Sequence, residues 1–277
     1  MTAADTTSAS PPGRTLADPL AEALRVIAIA DERGLFVRLM GGLAFHAQAP
    51  TWTARISRDG RDIDFATRSS DRKQVSELLV AEGYLPDKQY NALYGHKQLY
   101  FVDPAFRRPV DVLVDKLEMC HSFDFRARLK VTSPTLPLAE LLLSKLQVVK
   151  INRKDVLDAL ILLTEHPLGD DDGAIGSAGA GAAINVPRIA ALTSSDWGWW
   201  RTITENLYKL RGFVETELTA DELDCGRARR FDPVDQIDKL EAAIERTPKS
   251  TKWKLRARVG DRMAWYELPE EVGHGRD

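Results

Sequence analysis

The sequence predicts an α+β chain, with a small mixed α/β unit over residues 15–130 and a mostly helical region over 131–277. Three observations predict this. Short runs of β-type residues alternate with helix-period runs through the first half. Two of those runs, 97–103 and 108–116, are separated only by "PAFR", the spacing of a hairpin. Beyond residue 131 the alternation gives way to sustained helical periodicity.

Residues 15–34 carry Leu20, Ala23, Leu24, Ile27, Ala28 and Ala30 at helical spacing, with Gly34 placed to end the helix. "LFVRLMGG" (35–42) reads as a strand running into a glycine pair, and 43–49 as the first turns of a helix stopped by Pro50. A polar link leads to a strand over 62–67. Residues 70–84 read as a helix capped by Ser70, facing inward through Val75, Leu78 and Leu79 and ended by Gly83. The two hairpin strands follow. Residues 135–152 have a strong helical pattern with Pro137 near its start, and 153–166 continue or restart it. The acidic, then Gly/Ala-rich stretch 167–187 reads as a surface loop. The remainder is helical in pattern.

At 277 residues, 44% hydrophobic and 29% charged, the chain has ample material for a core. A net charge of −3 gives no global signature of a nucleic-acid binder. Cys120 and Cys225 lack metal-ligand spacing and read as free thiols in a reducing compartment. No apolar run nears the ~20 residues that span a bilayer. Residues 1–14 form a polar tail with a Pro pair and no secretory h-region, which points to a disordered tail, a cytoplasmic location and no membrane partner.

The chemistry concentrates in "GRDIDFATR" (60–68). On a strand, Asp62 and Asp64 share one face. Two adjacent carboxylates repel, and a divalent cation relieves that repulsion. A third acid, Asp111, lies mid-strand in "RPVDVLV", where an unpaired carboxylate is costly. Asp115 is the alternative third acid, on the same face nearer the strand end. Mg²⁺ or Mn²⁺ suits such hard oxygen ligands, and a pair of metals ~3.5–4 Å apart needs a shared carboxylate. Gly41-Gly42, between a strand and a helix, lets backbone N–H groups approach a triphosphate. Lys145, Arg58 and Arg61 are candidate counter-charges for phosphates, and Asp155 and Asp158 share one helix face. The residue logic is nucleotidyl transfer from an NTP. Trp197, Trp199 and Trp200 read first as packing anchors. The basic stretches 225–230 and 249–258 read first as solvated faces and second as an RNA surface.

"GGLAFH…RDGRDIDF…VDVLV" resembles the active-site core of the DNA polymerase β-type nucleotidyltransferase superfamily, and with "LLLSKLQ…RKDVLDAL" it is most similar to AbiEii-type toxins, which include tRNA-modifying toxins of toxin–antitoxin systems. The resemblance covers roughly residues 35–165. It implies a nucleotidyltransferase fold in the first half. Asp62 and Asp64 would be metal ligands, and Asp111 a third ligand or the base for the incoming hydroxyl. Gly41 and Gly42 would shape the phosphate site, Lys145 would contact the nucleotide, and Asp155 and Asp158 would assist. The Gly-Gly start followed by an Asp-x-Asp strand is also similar to small antibiotic nucleotidyltransferases, which adenylylate aminoglycosides or lincosamides. The acceptor therefore stays open among tRNA, a small molecule and a protein, and the toxin resemblance leaves room for a cognate antitoxin. A non-catalytic nucleotide-binding module of the same fold is the alternative from another class.

Overall fold

The computed structural model describes residues 15–50, 62–173, 181–218 and 230–268. Helix α1 (Pro19–Glu32) starts where the Asp18 carboxylate accepts the Ala21 N–H, with Pro19 preset for the first turn. Ala23, Val26, Ile27 and Ala30 form its buried stripe, and Gly34 ends it at φ 69°. Strand β1 (Val37–Met40) is wholly buried and runs directly into α2 (Gly41–Gln48). There follow β2 (Ile63–Thr67), α3 (Arg72–Ala81), β3 (Leu85–Pro86), α4 (Lys88–Tyr94), β4 (Gln98–Asp103) and β5 (Arg108–Val114).

The five strands form one mixed sheet in the order β1-β2-β5-β4-β3. Only β2 and β5 run parallel; the other pairs are antiparallel. Burial alternates strictly along β4 and β5, the period-2 signature of a sheet with one face in the core. Leu99, Phe101, Val110 and Val112 point inward, while Gln98, Tyr100, Asp111 and Leu113 share the other face. At the hairpin end, Asp103 and Arg108 form a buried ion pair 3.3 Å apart. Arg108 also donates to the Leu16 carbonyl and Asp103 accepts from the Thr15 hydroxyl, which ties the start of the described chain to the hairpin.

A small hairpin, β6 (Lys116–Glu118) and β7 (Ser122–Asp124), precedes the helical part. Residues 134–136 then lie along β1, with Leu39 N–H donating to the Pro134 carbonyl and Leu136 N–H to the Leu39 carbonyl. The pattern over 135–166 resolves into two helices, α5 (Leu138–Leu146) and α6 (Arg153–Glu165), the second capped by Asn152. The stretch expected as a loop contains a short parallel ladder, β8 (Leu168–Gly169) with β9 (Ile184–Asn185). Helices α7 (Val186–Ser195), α8 (Trp197–Thr216), α9 (Pro233–Arg246) and α10 (Thr251–Val259) complete the described chain.

One continuous core runs from α1 through the sheet into α5, α6, α8 and α9, joining Ile27, Leu39, Phe65, Val112, Leu142, Leu160, Leu207 and Leu240. Each such side chain contributes roughly 1.5–3 kcal/mol on burial, so the helical region and the α/β unit stabilise one another. Among the described residues no helix is long and apolar enough to cross a membrane.

Candidate active site

The site is built where β1 ends. Gly41 has φ 61°, a backbone conformation that side-chain-bearing residues pay to adopt. Its neighbour Met40 is in register with Asp64 on β2. A Cβ on Gly41 would lie 1.9 Å from Asp64 Oδ2. Glycine is therefore required twice, by the turn and by the carboxylate packed against it. No side chain caps α2, whose first-turn N–H groups have no intrahelical partners and suit an anion. Gly42 is the second residue of that helix.

Asp64 is also in register with Asp111 on the parallel strand β5. Adjacent strands lie ~4.8 Å apart, so the two carboxylates stand side by side on one face. Burial, then the Asp111 charge, push the Asp64 carboxyl up to about 7, with Lys145 opposing and Asp62 adding a smaller push. Asp111 accepts a short hydrogen bond from the Gln98 amide. Tyr100 is in register across from it. Burial and then Asp111 raise the phenol pKa values of both Tyr100 and Tyr90.

Asp62 lies exposed just before β2. Among the described residues no three His, Cys, Asp or Glu side chains stand in a metal-ligating arrangement; the register pairs Asp64 with Asp111, and Asp62 is near enough for its charge to act on Asp64. The donor chemistry of the pair fits a hard divalent cation, because a metal ion relieves the carboxylate repulsion that helps push the Asp64 pKa up. Asp115 is engaged elsewhere: it sits at φ 67° beyond the end of β5, accepts the Ser69 N–H, and is four residues, about 13 Å, along the strand from Asp111.

Lys145, from α5, lies between Asp155 Oδ1 at 2.9 Å and Asp158 Oδ2 at 3.1 Å. Burial works against its charge, but Asp158 and Asp155 outweigh it and hold its pKa above the usual lysine value. Its ammonium is 5.5 Å from the centre of the Phe45 ring on α2. Asp158 is fully buried, and Asp155 is fixed by Asn152. The three expected residues are thus brought together as one cluster, and the Lys145 charge is close enough to oppose the rise in the Asp64 pKa. Arg58 and Arg61 lie outside the described residues, as do Cys225 and the rest of the basic stretch up to residue 229.

Gln98, Tyr90 and Tyr100 were not singled out from the sequence. A signal existed: with "PAFR" as the hairpin loop, Asp103 pairs with Arg108, and counting back places Tyr100 opposite Asp111 and Gln98 opposite Leu113. Trp197 and Trp199 are buried, and Trp199 packs on the His121 and Phe123 rings, as packing anchors do. The His121 ring is kept neutral by burial, its pKa pushed down to about 4 against the opposing charge of Asp196.

No protein-family model matches this chain, and no curated protein does. Among solved structures it is similar to the antibiotic-resistance factor ANT(2'')-Ia, at 14% identity over 52% of this chain and 81% of that one, with a TM-score of 0.34. At that identity and TM-score the likeness assigns no function.

Proposed function

We propose that the chain is a metal-dependent nucleotidyltransferase that moves a nucleoside monophosphate from an NTP to an acceptor hydroxyl. The observation that carries this is the Asp64–Asp111 pair in register, with Gly41 packed against Asp64 at the start of α2. Asp64 and Asp111 would hold Mg²⁺ or Mn²⁺, with Asp62 joining them from the start of β2. The metal supplies charge neutralisation for the phosphates of the NTP. The open N–H groups of α2 receive phosphate oxygens, and Gly41 and Gly42 keep side chains out of their way. The Gln98 amide orients Asp111, which takes the proton of the incoming hydroxyl. Lys145 positions the site from behind, adding positive charge near Asp64 while neutralising Asp155 and Asp158.

The motif resemblance supports this reading independently of the geometry. A tRNA acceptor and an antitoxin partner rest on that resemblance alone. Thermal unfolding with Mg²⁺ or Mn²⁺, with each NTP, and with both together tests the reading. Stabilisation should require metal and NTP together and should vanish in Asp64→Ala with Asp111→Ala. Equal stabilisation of that double variant would overturn it.

A further inference from the structure

A cavity of about 1210 Å³ opens beside the carboxylate pair, between the polar face of the sheet and the helices that follow. On the sheet side it is lined by Tyr90 and Tyr94 of α4, Gln98 of β4 and Leu113 of β5. On the helical side it is lined by Trp197 and by Trp265, which follows α10. Gln98 is the residue that donates to Asp111, and Leu113 is on the Asp111 face two residues along. The cavity therefore begins where the site ends. At about 1210 Å³ it is somewhat roomier than the roughly 300–1,000 Å³ of ordinary small-molecule sites, so a small acceptor fits with space to spare.

Its charges are nearly balanced and stand mostly in exposed pairs, so the lining offers no excess of either sign to a polyion. Lys97 and Lys116 both pair with Glu118. Lys252 lies 3.7 Å from Asp196, whose carboxylate also caps α8. Arg256 donates to the Gly260 and Met263 carbonyls and stacks 4.7 Å from the centre of the Trp197 ring. A polyanion needs cations free to take phosphates. Lys254 and Arg258 are on α10 but do not line the cavity. A polycation would need free carboxylates, and two of the three acids in the lining, Glu118 and Asp196, are committed as above, leaving Glu267. What the walls offer instead is aromatic side chains from both sides: the Tyr90–Tyr94 pair, and Trp265, whose ring has Arg201 5.5 Å from its centre and Tyr266 against its edge.

We propose that this cavity is the acceptor site and that the acceptor is a compact, uncharged, polyhydroxylated molecule with flat apolar faces, a sugar or glycoside in chemical class. The inference rests on the nucleotidyl-transfer reading above. One hydroxyl oxygen of the acceptor forms a bond to the α-phosphorus of the NTP. The bond from that phosphorus to the oxygen bridging to the β-phosphate breaks, pyrophosphate leaves with the electron pair, and the hydroxyl proton passes to Asp111. Tyr94 and Trp265 hold the acceptor by stacking.

The test incubates the full chain with Mg²⁺ and α-³²P-labelled NTPs, in parallel with a protein-free small-molecule extract of cells and with total RNA. Label should enter a small-molecule product. Phosphodiesterase cleavage of that product should release an acceptor retained by neither anion nor cation exchanger. Trp265→Ala and Tyr94→Ala should each slow labelling roughly tenfold, the scale of one lost aromatic stack. Both should keep the stabilisation by metal and NTP. Tyr94 is 44% exposed, so its replacement leaves the core intact. Label in RNA alone, a charged acceptor, variants as fast as the parent chain, or no small-molecule product from a chain that metal and NTP still stabilise would each overturn the proposal. If metal and NTP do not stabilise the parent chain, nucleotidyl transfer itself fails, and the acceptor assignment falls with it.

Discussion

Replacing Asp64 with asparagine should make the metal-free protein more stable at alkaline pH. The folded-state pKa of Asp64 lies above the ordinary aspartate value, at about 7, because burial and Asp111 disfavour its charge. A group of this kind contributes stability that is fully present below its unfolded pKa and is lost as pH rises through its folded pKa. Each tenfold change in proton affinity is worth ~1.4 kcal/mol, which caps the loss near 4 kcal/mol by pH 8. Asp64 keeps some contact with solvent, and screening there brings the expected figure to about 2 kcal/mol. In a chain of this size that is a Tm difference of roughly 4–8 °C. Asparagine keeps the shape and removes the charge. Melting curves across pH 4 to 8 by circular dichroism should therefore show the gap between the parent chain and Asp64→Asn smallest at pH 4, widening steadily up to about pH 7 and levelling off above it. Millimolar Mg²⁺ should close the gap by stabilising only the parent chain. Parallel Tm curves across the whole range would refute the reasoning, since they would mean that Asp64 ionises as readily folded as unfolded.

Two further substitutions probe the supports of the pair. Gly41→Ala places a methyl group onto the Asp64 carboxylate at a positive φ, and should cost about 1–3 kcal/mol in urea unfolding and abolish the response to metal and NTP; a variant that keeps both would show that the close approach is dispensable. Lys145→Met leaves Asp155 and the buried Asp158 without their cation and should cost ~3–5 kcal/mol, of which adding Asp158→Asn should restore a large part; equal stability of the single and double variants would separate these residues energetically.

The carboxylates and the glycine turn were legible in the sequence because their signals are local. A period-2 strand fixes which residues share a face, and a Gly pair after a strand marks a turn. The hairpin, too, was legible, since its loop length sets the register. What escaped was decided by partners distant in sequence. Nothing local ends α5 at Leu146, because "QVVKIN" continues an acceptable helical pattern. The helix stops because Asn206 of α8 takes the Leu146 and Val148 carbonyls, and the Gln147 side chain accepts the His121 N–H. Ser70 was expected to cap α3, but the cap position is Asp71, whose carboxylate is drawn to the Phe36 N–H and Arg68. Helix α4 is too short to show periodicity. Its start is set by Asp87, which accepts the Tyr90 N–H, and the aromatic rings beside the site went unread with it.

The segment at residues 134–136 that lies along β1 has a consequence for association. By pairing with Leu39 on both its N–H and its carbonyl, it occupies one margin of the sheet. The other margin, β3, is two residues long and one of them is proline, which has no N–H to offer. Neither margin presents a free ladder on which a foreign strand could add. Among the described residues, the sheet holding the carboxylate pair is thus guarded at both margins against edge-on addition of a foreign strand.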